Sequence, residues 1–247
     1  MAILQKLLKM VRYIYNFESI LKDIDLDKEI FQPNLTTQLS IETALEKLKD
    51  DNSILDLGCG SGVIGIALMK TFSKIKMYCS DVHSIAIENT KKNFIRNGLK
   101  ADIKKGHLFE PWSEKKFDYI INDVSAISNL IAKISPWFGK NIPCESGEDG
   151  TDLALSILKS SPNFLNEGGY LQIPLISLSN TDKILDYAKN IFSDVKIIKS
   201  KSWFLPKEMD NFKDTLYKLR SKKLISFEEK FEKIICNTSI ATCKGPK

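Results

Sequence analysis

"SILDLGCGSGVIGIAL", residues 53–68, decides the fold. Ile54 to Leu57 form an apolar run that reads as a strand. It passes straight into Gly58, Gly60 and Gly62, and a helix opens there, running from Gly62 to about Phe72. Glycines at such a junction let the backbone turn sharply and come close to a ligand. The start of the helix beyond them leaves free N–H groups.

The alternation continues outward. "KMYCSD" reads as a second strand, with a helix from about Ser84 to Asn97 behind it. A short strand near "DIKKG" and a strand "FDYIIN" follow, then a helix over roughly Gly150 to Phe164 and a strand "GYLQI". Apolar strands alternating with amphipathic helices predict a parallel sheet covered on both faces. Upstream, Thr36 or Thr37 is expected to cap a helix that runs to about Lys49. Pro174 is expected to end its strand early. "DVKIIKS" and "FEKIICNTSIATC" read as strands near the end of the chain. Residues 3–15 carry apolar positions at helical spacing with lysines on the other face.

Two carboxylates flank the glycine loop. Asp81 closes the second strand about twenty residues on, where it can take both hydroxyls of a ribose. "GSGVIG" also fits the dinucleotide pattern G-x-G-x-x-G. Asp56, two residues before Gly58, discriminates: it would repel a pyrophosphate, whereas it suits the ammonium and sulfonium of S-adenosylmethionine.

"LDLGCGSGVIGIAL" resembles motif I of the class I S-adenosylmethionine-dependent methyltransferases. "IFQPNLTTQLSIE", "GHLFEPW" and "SGEDGTDLALSILKSSPNFLNEGGYLQI" resemble, in order, three segments of the release-factor glutamine methyltransferase family and its small-domain relatives. The resemblance covers about residues 30 to 175. It implies a doubly wound, Rossmann-like α/β sheet of seven strands with an antiparallel last strand. A helical N-terminal element (1–30) would precede a cofactor-binding domain (31–247).

Carried over by position, the resemblance places Gly58, Cys59, Gly60 and Gly62 along the amino acid part of S-adenosylmethionine, with Asp56 near its ammonium. Asp81 would hold the ribose, Val82 would pack on adenine, and His107 stands where the family has an Asp facing the adenine amino group. Pro33 and Thr37 would close over the cofactor. The family's N-P-P-Y motif, which holds the methyl acceptor, reads Asn122, Asp123, Val124, Ser125 here. Asn122 is expected to contact both cofactor and acceptor. Asp123 adds a carboxylate able to take a proton from an amine or hydroxyl. Ser125 either orients the acceptor or caps the turn, and Trp112, Trp137 and Phe138 are candidates for a pocket wall. His83 reads as an exposed loop residue.

Bulk properties set the limits. The chain has 247 residues, 36 basic against 31 acidic, and a net charge of +5, a mild excess that demands no acidic partner. Nine basic residues lie between Lys196 and Lys223 around Trp203 and Phe204, but acidic residues interrupt them, so this reads as a solvated face. Five cysteines without C-x-x-C spacing and two histidines disfavour a disulfide framework and a metal site. No apolar run reaches the roughly eighteen residues of a membrane span, and lysines interrupt the N-terminal apolar stretch. The expectation is a cytoplasmic methyltransferase acting on a nitrogen, less readily an oxygen, of a small molecule or protein side chain. A nucleic-acid base is disfavoured because the stacking Tyr is missing. A degenerate, non-enzymatic interaction module and a nicotinamide dehydrogenase are the remaining rivals.

Overall fold

A computed structural model describes residues 17–139 and 141–247. The helix read over residues 3–15 lies outside them. The described chain runs α1 (Phe17–Lys22), α2 (Leu35–Lys47), β1 (Ser53–Leu57), α3 (Val63–Thr71), β2 (Lys76–Asp81), α4 (Ser84–Arg96), β3 (Asp102–Lys105), β4 (Phe117–Asn122) and α5 (Asn129–Ile134). It continues through α6 (Asp152–Ser160), β5 (Leu165–Ile176), α7 (Thr181–Ile191), β6 (Phe192–Phe204), α8 (Lys213–Ser221), β7 (Glu228–Lys230) and β8 (Lys233–Pro246).

The sheet order is β3-β2-β1-β4-β5-β8-β6, with β7 added on β8. The pairings among β1 to β5 are parallel. β8 lies antiparallel between β5 and β6, so the expected seven strands and antiparallel last strand are present, and the short β7 makes an eighth. Ile54, Leu55 and Leu57 are completely buried. Such a near-continuous apolar run is what a central parallel strand needs, because helices cover both its faces. One core cluster joins Ile54 to the α1–α4 side through residues such as Ile41, Ile66 and Phe94. A second joins Leu55 and Leu57 to Trp112, Ile157 and Ile184, and a third gathers Ile131, Leu178 and Leu216. The chain reverses its winding between β1 and β4, which opens a crevice at their carboxyl ends.

Two local expectations need correction. The cap of α2 is Asn34, not Thr36 or Thr37: its Oδ1 accepts from the N–H groups of Thr36 (2.8 Å) and Thr37 (3.4 Å). Thr37 Oγ1 returns a bond by accepting from Asn34 N–H, which closes a capping box. The strand β5 does not end at Pro174 but continues to Ile176. β4 pairs β5 only as far as Gln172, so at Pro174 the only strand alongside is β8, where Pro174 faces Ile240. A proline is tolerated where one flank has no neighbouring strand.

Candidate active site

Three strand ends converge. β1 carries Asp56 and leads into the glycine loop, β2 ends on Asp81, and β4 ends on Asn122 with Asp123 behind it. They surround a cavity of about 460 Å³.

The glycine loop is held by its neighbours. Gly58 and Cys59 donate their N–H groups to the Ser80 carbonyl at 2.8 and 3.1 Å. Gly60 N–H donates to Asp81 Oδ2 at 3.0 Å, and His83 N–H donates to Oδ1 at 2.8 Å. Thr90 on α4 donates to the Gly60 carbonyl at 2.8 Å. Gly58 has φ +77, and a Cβ there would stand 2.8 Å from Val124 Cγ1 and 3.2 Å from its backbone. Only glycine allows this approach between the loop and the end of β4.

The electrostatics are one-sided. Asp56 is fully buried, and neither of its carboxylate oxygens has a hydrogen-bond partner. Burial, then the nearby carboxylates of Asp123 and Asp81, push its pKa well above the usual carboxylate range. Burial also raises Asp81, against the backbone N–H groups of His83 and Gly60, which lower it. Burial raises Asp123 to about 7, against the Thr37 hydroxyl. Among the described lining residues there is no lysine or arginine. Three acids with no lysine or arginine beside them in the described lining favour a positively charged ligand.

Pro33, Thr37, Gly58, Cys59, Gly60, Asp81, Val82, His107 and Asp123 all line the cavity. Gly62 does not; it caps α3 in the left-handed region and packs on Thr90 and Phe94. Asp56 lies beneath the floor. Asn122 is also fully buried and outside the lining. Its Oδ1 accepts from Val124 N–H at 3.1 Å, and its Nδ2 has no partner. With no proline after Asn122, the restored N–H of Val124 takes the amide oxygen. Ser125 lines the cavity but donates its hydroxyl to the Cys144 carbonyl at 3.1 Å.

His83 lines the cavity, contrary to its reading as an exposed loop residue. Its N–H bond to Asp81 draws the start of α4 toward the glycine loop. Trp137 and Phe138 form wall, whereas Trp112 is core on the opposite face, donating to Ser80 Oγ at 3.1 Å. Phe31, Glu145, Trp203 and Thr238 were not expected at the site, and all four line it. Four of the nine basic residues around Trp203 are in ion pairs: Lys196 with Asp194, Lys199 with Glu46, Lys213 with Asp210 and Lys222 with Glu148. Among the described residues no three His, Cys, Asp or Glu side chains converge on a metal position, and no helix is long and apolar enough to cross a membrane.

Comparison with known proteins places this geometry among methyltransferases. Residues 34–123, from the cap of α2 to Asp123, match the family model of the Methyltransferase small domain. The release factor glutamine methyltransferase of Geobacter sulfurreducens is 27% identical over 161 residues, covering 62% of this chain and 55% of that protein. A ribosomal RNA small subunit methyltransferase C of Actinobacillus pleuropneumoniae is 30% identical over 153 residues, covering 62% of this chain and 41% of that one. The chain therefore spans about half the length of the curated relatives it matches. The presence of an RNA methyltransferase among them removes support for setting nucleic acid aside. A solved ribosomal protein L11 methylase from Lactobacillus delbrueckii subsp. bulgaricus has the same fold, with a TM-score of 0.56 at 17% identity over 90% of this chain and 85% of its own. The class I methyltransferase resemblance read from the motifs thus holds in both sequence and fold.

Proposed function

We propose that the chain is an S-adenosylmethionine-dependent methyltransferase that methylates a nitrogen, less readily an oxygen, of a small molecule or protein side chain. The observation that carries this is the acid-rich cavity over the glycine loop, with an unpartnered Asp56 below it. The residues present fit the cofactor: its ammonium and sulfonium match the carboxylates of Asp81 and Asp123, in a lining with no described lysine or arginine, and the unpartnered, buried Asp56 beside them. When bound, S-adenosylmethionine supplies an electrophilic methyl group on a sulfonium.

The chain's own residues then have distinct work. The backbone of Gly58, Cys59 and Gly60 lies against the amino acid part. Each Asp81 oxygen accepts one backbone N–H and keeps capacity to accept a ribose hydroxyl. Val82, exposed beside the cavity, offers apolar surface to the adenine, with His107 in the wall nearby. Pro33 and Thr37 border the opening from α2. Asp123 holds or takes a proton at the acceptor, a task suited to a carboxyl with a pKa of about 7. Asn122 acts by fixing the turn that presents Asp123.

A nucleic-acid base is the second reading, favoured by the RNA methyltransferase among the relatives. The lack of lysine and arginine in the described lining speaks for the first. Calorimetric titration of S-adenosylhomocysteine into wild type and Asp81→Ala tests the assignment. Micromolar binding that collapses in the variant supports it; no binding to the wild type rejects it in favour of a degenerate module.

A further inference from the structure

The part of the cavity beyond Asp123 is walled by rings. Phe31 precedes α2, Trp137 and Phe138 follow α5, and Trp203 stands near the end of β6. They interlock in pairs. Trp137 meets Trp203 edge-on, with centroids 5.7 Å apart, and Phe31 meets Phe138 at 4.9 Å. All four are half-buried. They belong to three distant segments, so the wall is a product of the tertiary fold.

The polar groups beside this wall are largely engaged. Trp203 donates its one N–H to Thr238 Oγ1 at 3.0 Å. Ser125 Oγ donates to the Cys144 carbonyl, and Asn122 Oδ1 accepts from Val124. A glutamine amide or a purine edge is read by paired donors and acceptors, and the side-chain amides here, Asn34 and Asn122, each have their oxygen already engaged by backbone N–H groups. The lining here is ring surface and aliphatic side chains such as Ile127 and Ile142, with Asp123 and Glu145 as its acidic residues. Aromatic faces and carboxylates share one preference, for a cation. They share one aversion, to carboxylates and phosphates, which the described lining has no lysine or arginine to meet.

We propose that this compartment binds the methyl acceptor and that the acceptor is a small primary or secondary amine carried on an aromatic body. The inference rests on the methyltransferase reading and narrows its acceptor. The ammonium approaches the Asp123 carboxylate while the ring packs against Trp137 and Trp203. The transfer balances. The ammonium first gives one proton to the Asp123 carboxylate, which frees the nitrogen lone pair. That pair forms the N–C bond as the donor's C–S bond breaks with its electrons left on sulfur, and Asp123 afterwards releases its proton to solvent. The product is an N-methylammonium, so the same ring wall accommodates it.

The test uses the full chain saturated with S-adenosylhomocysteine, into which 2-phenylethylamine is titrated by calorimetry. Butylamine, 3-phenylpropionate, a Gly-Gly-Gln peptide and guanosine are titrated in parallel. The expected result is saturable binding of 2-phenylethylamine, with butylamine and 3-phenylpropionate each weaker by about tenfold or more. Trp137→Ala and Asp123→Asn should each weaken the amine by a similar factor, with S-adenosylhomocysteine binding measured in each to show that the site is formed. Tighter binding of the peptide or guanosine, amine binding indifferent to both substitutions, or no amine binding in a protein that binds S-adenosylhomocysteine would overturn the inference while leaving the cofactor assignment standing. Failure of S-adenosylhomocysteine to bind would remove both.

Discussion

Thr37 Oγ1 donates to Asp123 Oδ2 at 3.0 Å, joining the first turn of α2 to the residue after β4. Thr37 also closes the capping box of α2 through Asn34. One hydroxyl thus fixes both the helix that borders the cavity and the acid at its centre. Because this bond lowers the Asp123 pKa against burial, its loss should raise it further. An ionised Asp123 attracts a cation, so affinity for S-adenosylmethionine, whose sulfonium is cationic, should strengthen from about pH 6 to about pH 8. Thr37→Val should move the midpoint of that rise to higher pH, whereas Thr37→Ser should not. An identical midpoint in wild type and Thr37→Val, read by calorimetry across that range, would disprove the coupling.

The same acid sets a stability trend. The folded-state pKa of Asp123, about 7, lies above its ordinary value of 3.8, so between those values the folded chain holds a proton that the unfolded chain releases. Stability from this group is present below the ordinary value and is lost as pH rises through 7, by at most about 4 kcal/mol. The raised Asp56 and Asp81 act in the same direction. The ligand-free protein should melt at lower temperature at pH 8 than at pH 6, and Asp123→Asn should flatten that slope. A wild-type melting temperature that rises over this range would contradict the assignment.

Asn93 on α4 ties three segments together. Its Nδ2 contacts the Asp25 carbonyl (2.9 Å), the Ser61 carbonyl (2.9 Å) and Asn89 Oδ1 (3.1 Å), while its Oδ1 accepts from Asp25 N–H (2.8 Å). Asn93→Ala leaves the Ser61 carbonyl and Asn89 Oδ1 without this partner in a buried setting, and the Asp25 backbone without it in a part-buried one, at a cost of about 2–3 kcal/mol. Chemical denaturation should show the loss. A midpoint within error of wild type would mean that water replaces the amide.

The turn between β7 and β8 places Phe231 and Glu232 at φ +53 and +60. Neither residue favours the left-handed region, where Asn-Gly is the usual choice in a two-residue hairpin. Phe231 is 96% exposed, so its ring contributes little packing. The double change Phe231→Asn, Glu232→Gly should stabilise the protein by about 1 kcal/mol. A lower melting temperature would show that the exposed ring has a partner the fold does not reveal.

What was legible in the sequence was local. The run from Ser53 to Asp81 announces a strand, a glycine turn, a helix and a second strand within about thirty residues. Each signal there comes from neighbours in the chain, and the positions of Gly58, Gly60 and Asp81 at the cavity followed. The aromatic wall was legible only in part: Trp137 and Phe138 read as candidates for it, but Phe31 and Trp203 did not, because they reach Phe138 and Trp137 only through the tertiary fold. Trp203 sits in a lysine-rich stretch that reads as solvated, and its inward orientation depends on Thr238 across the sheet. Asn122 was the subtler miss. The sequence showed that the prolines were gone, but not that the freed N–H of Val124 would turn back onto the Asn122 amide. Pro174 reads as a strand end, and only the strand register shows that β5 continues past it with one flank unpaired by β4.

The central claim is that the cavity at the ends of β1, β2 and β4 is built for S-adenosylmethionine. A crystal structure of the protein grown with S-adenosylhomocysteine tests it most directly. The account predicts ligand density along the Gly58–Gly60 backbone with the ribose hydroxyls on Asp81. Density elsewhere on the molecule, or an empty cavity in crystals grown at saturating ligand, would contradict it.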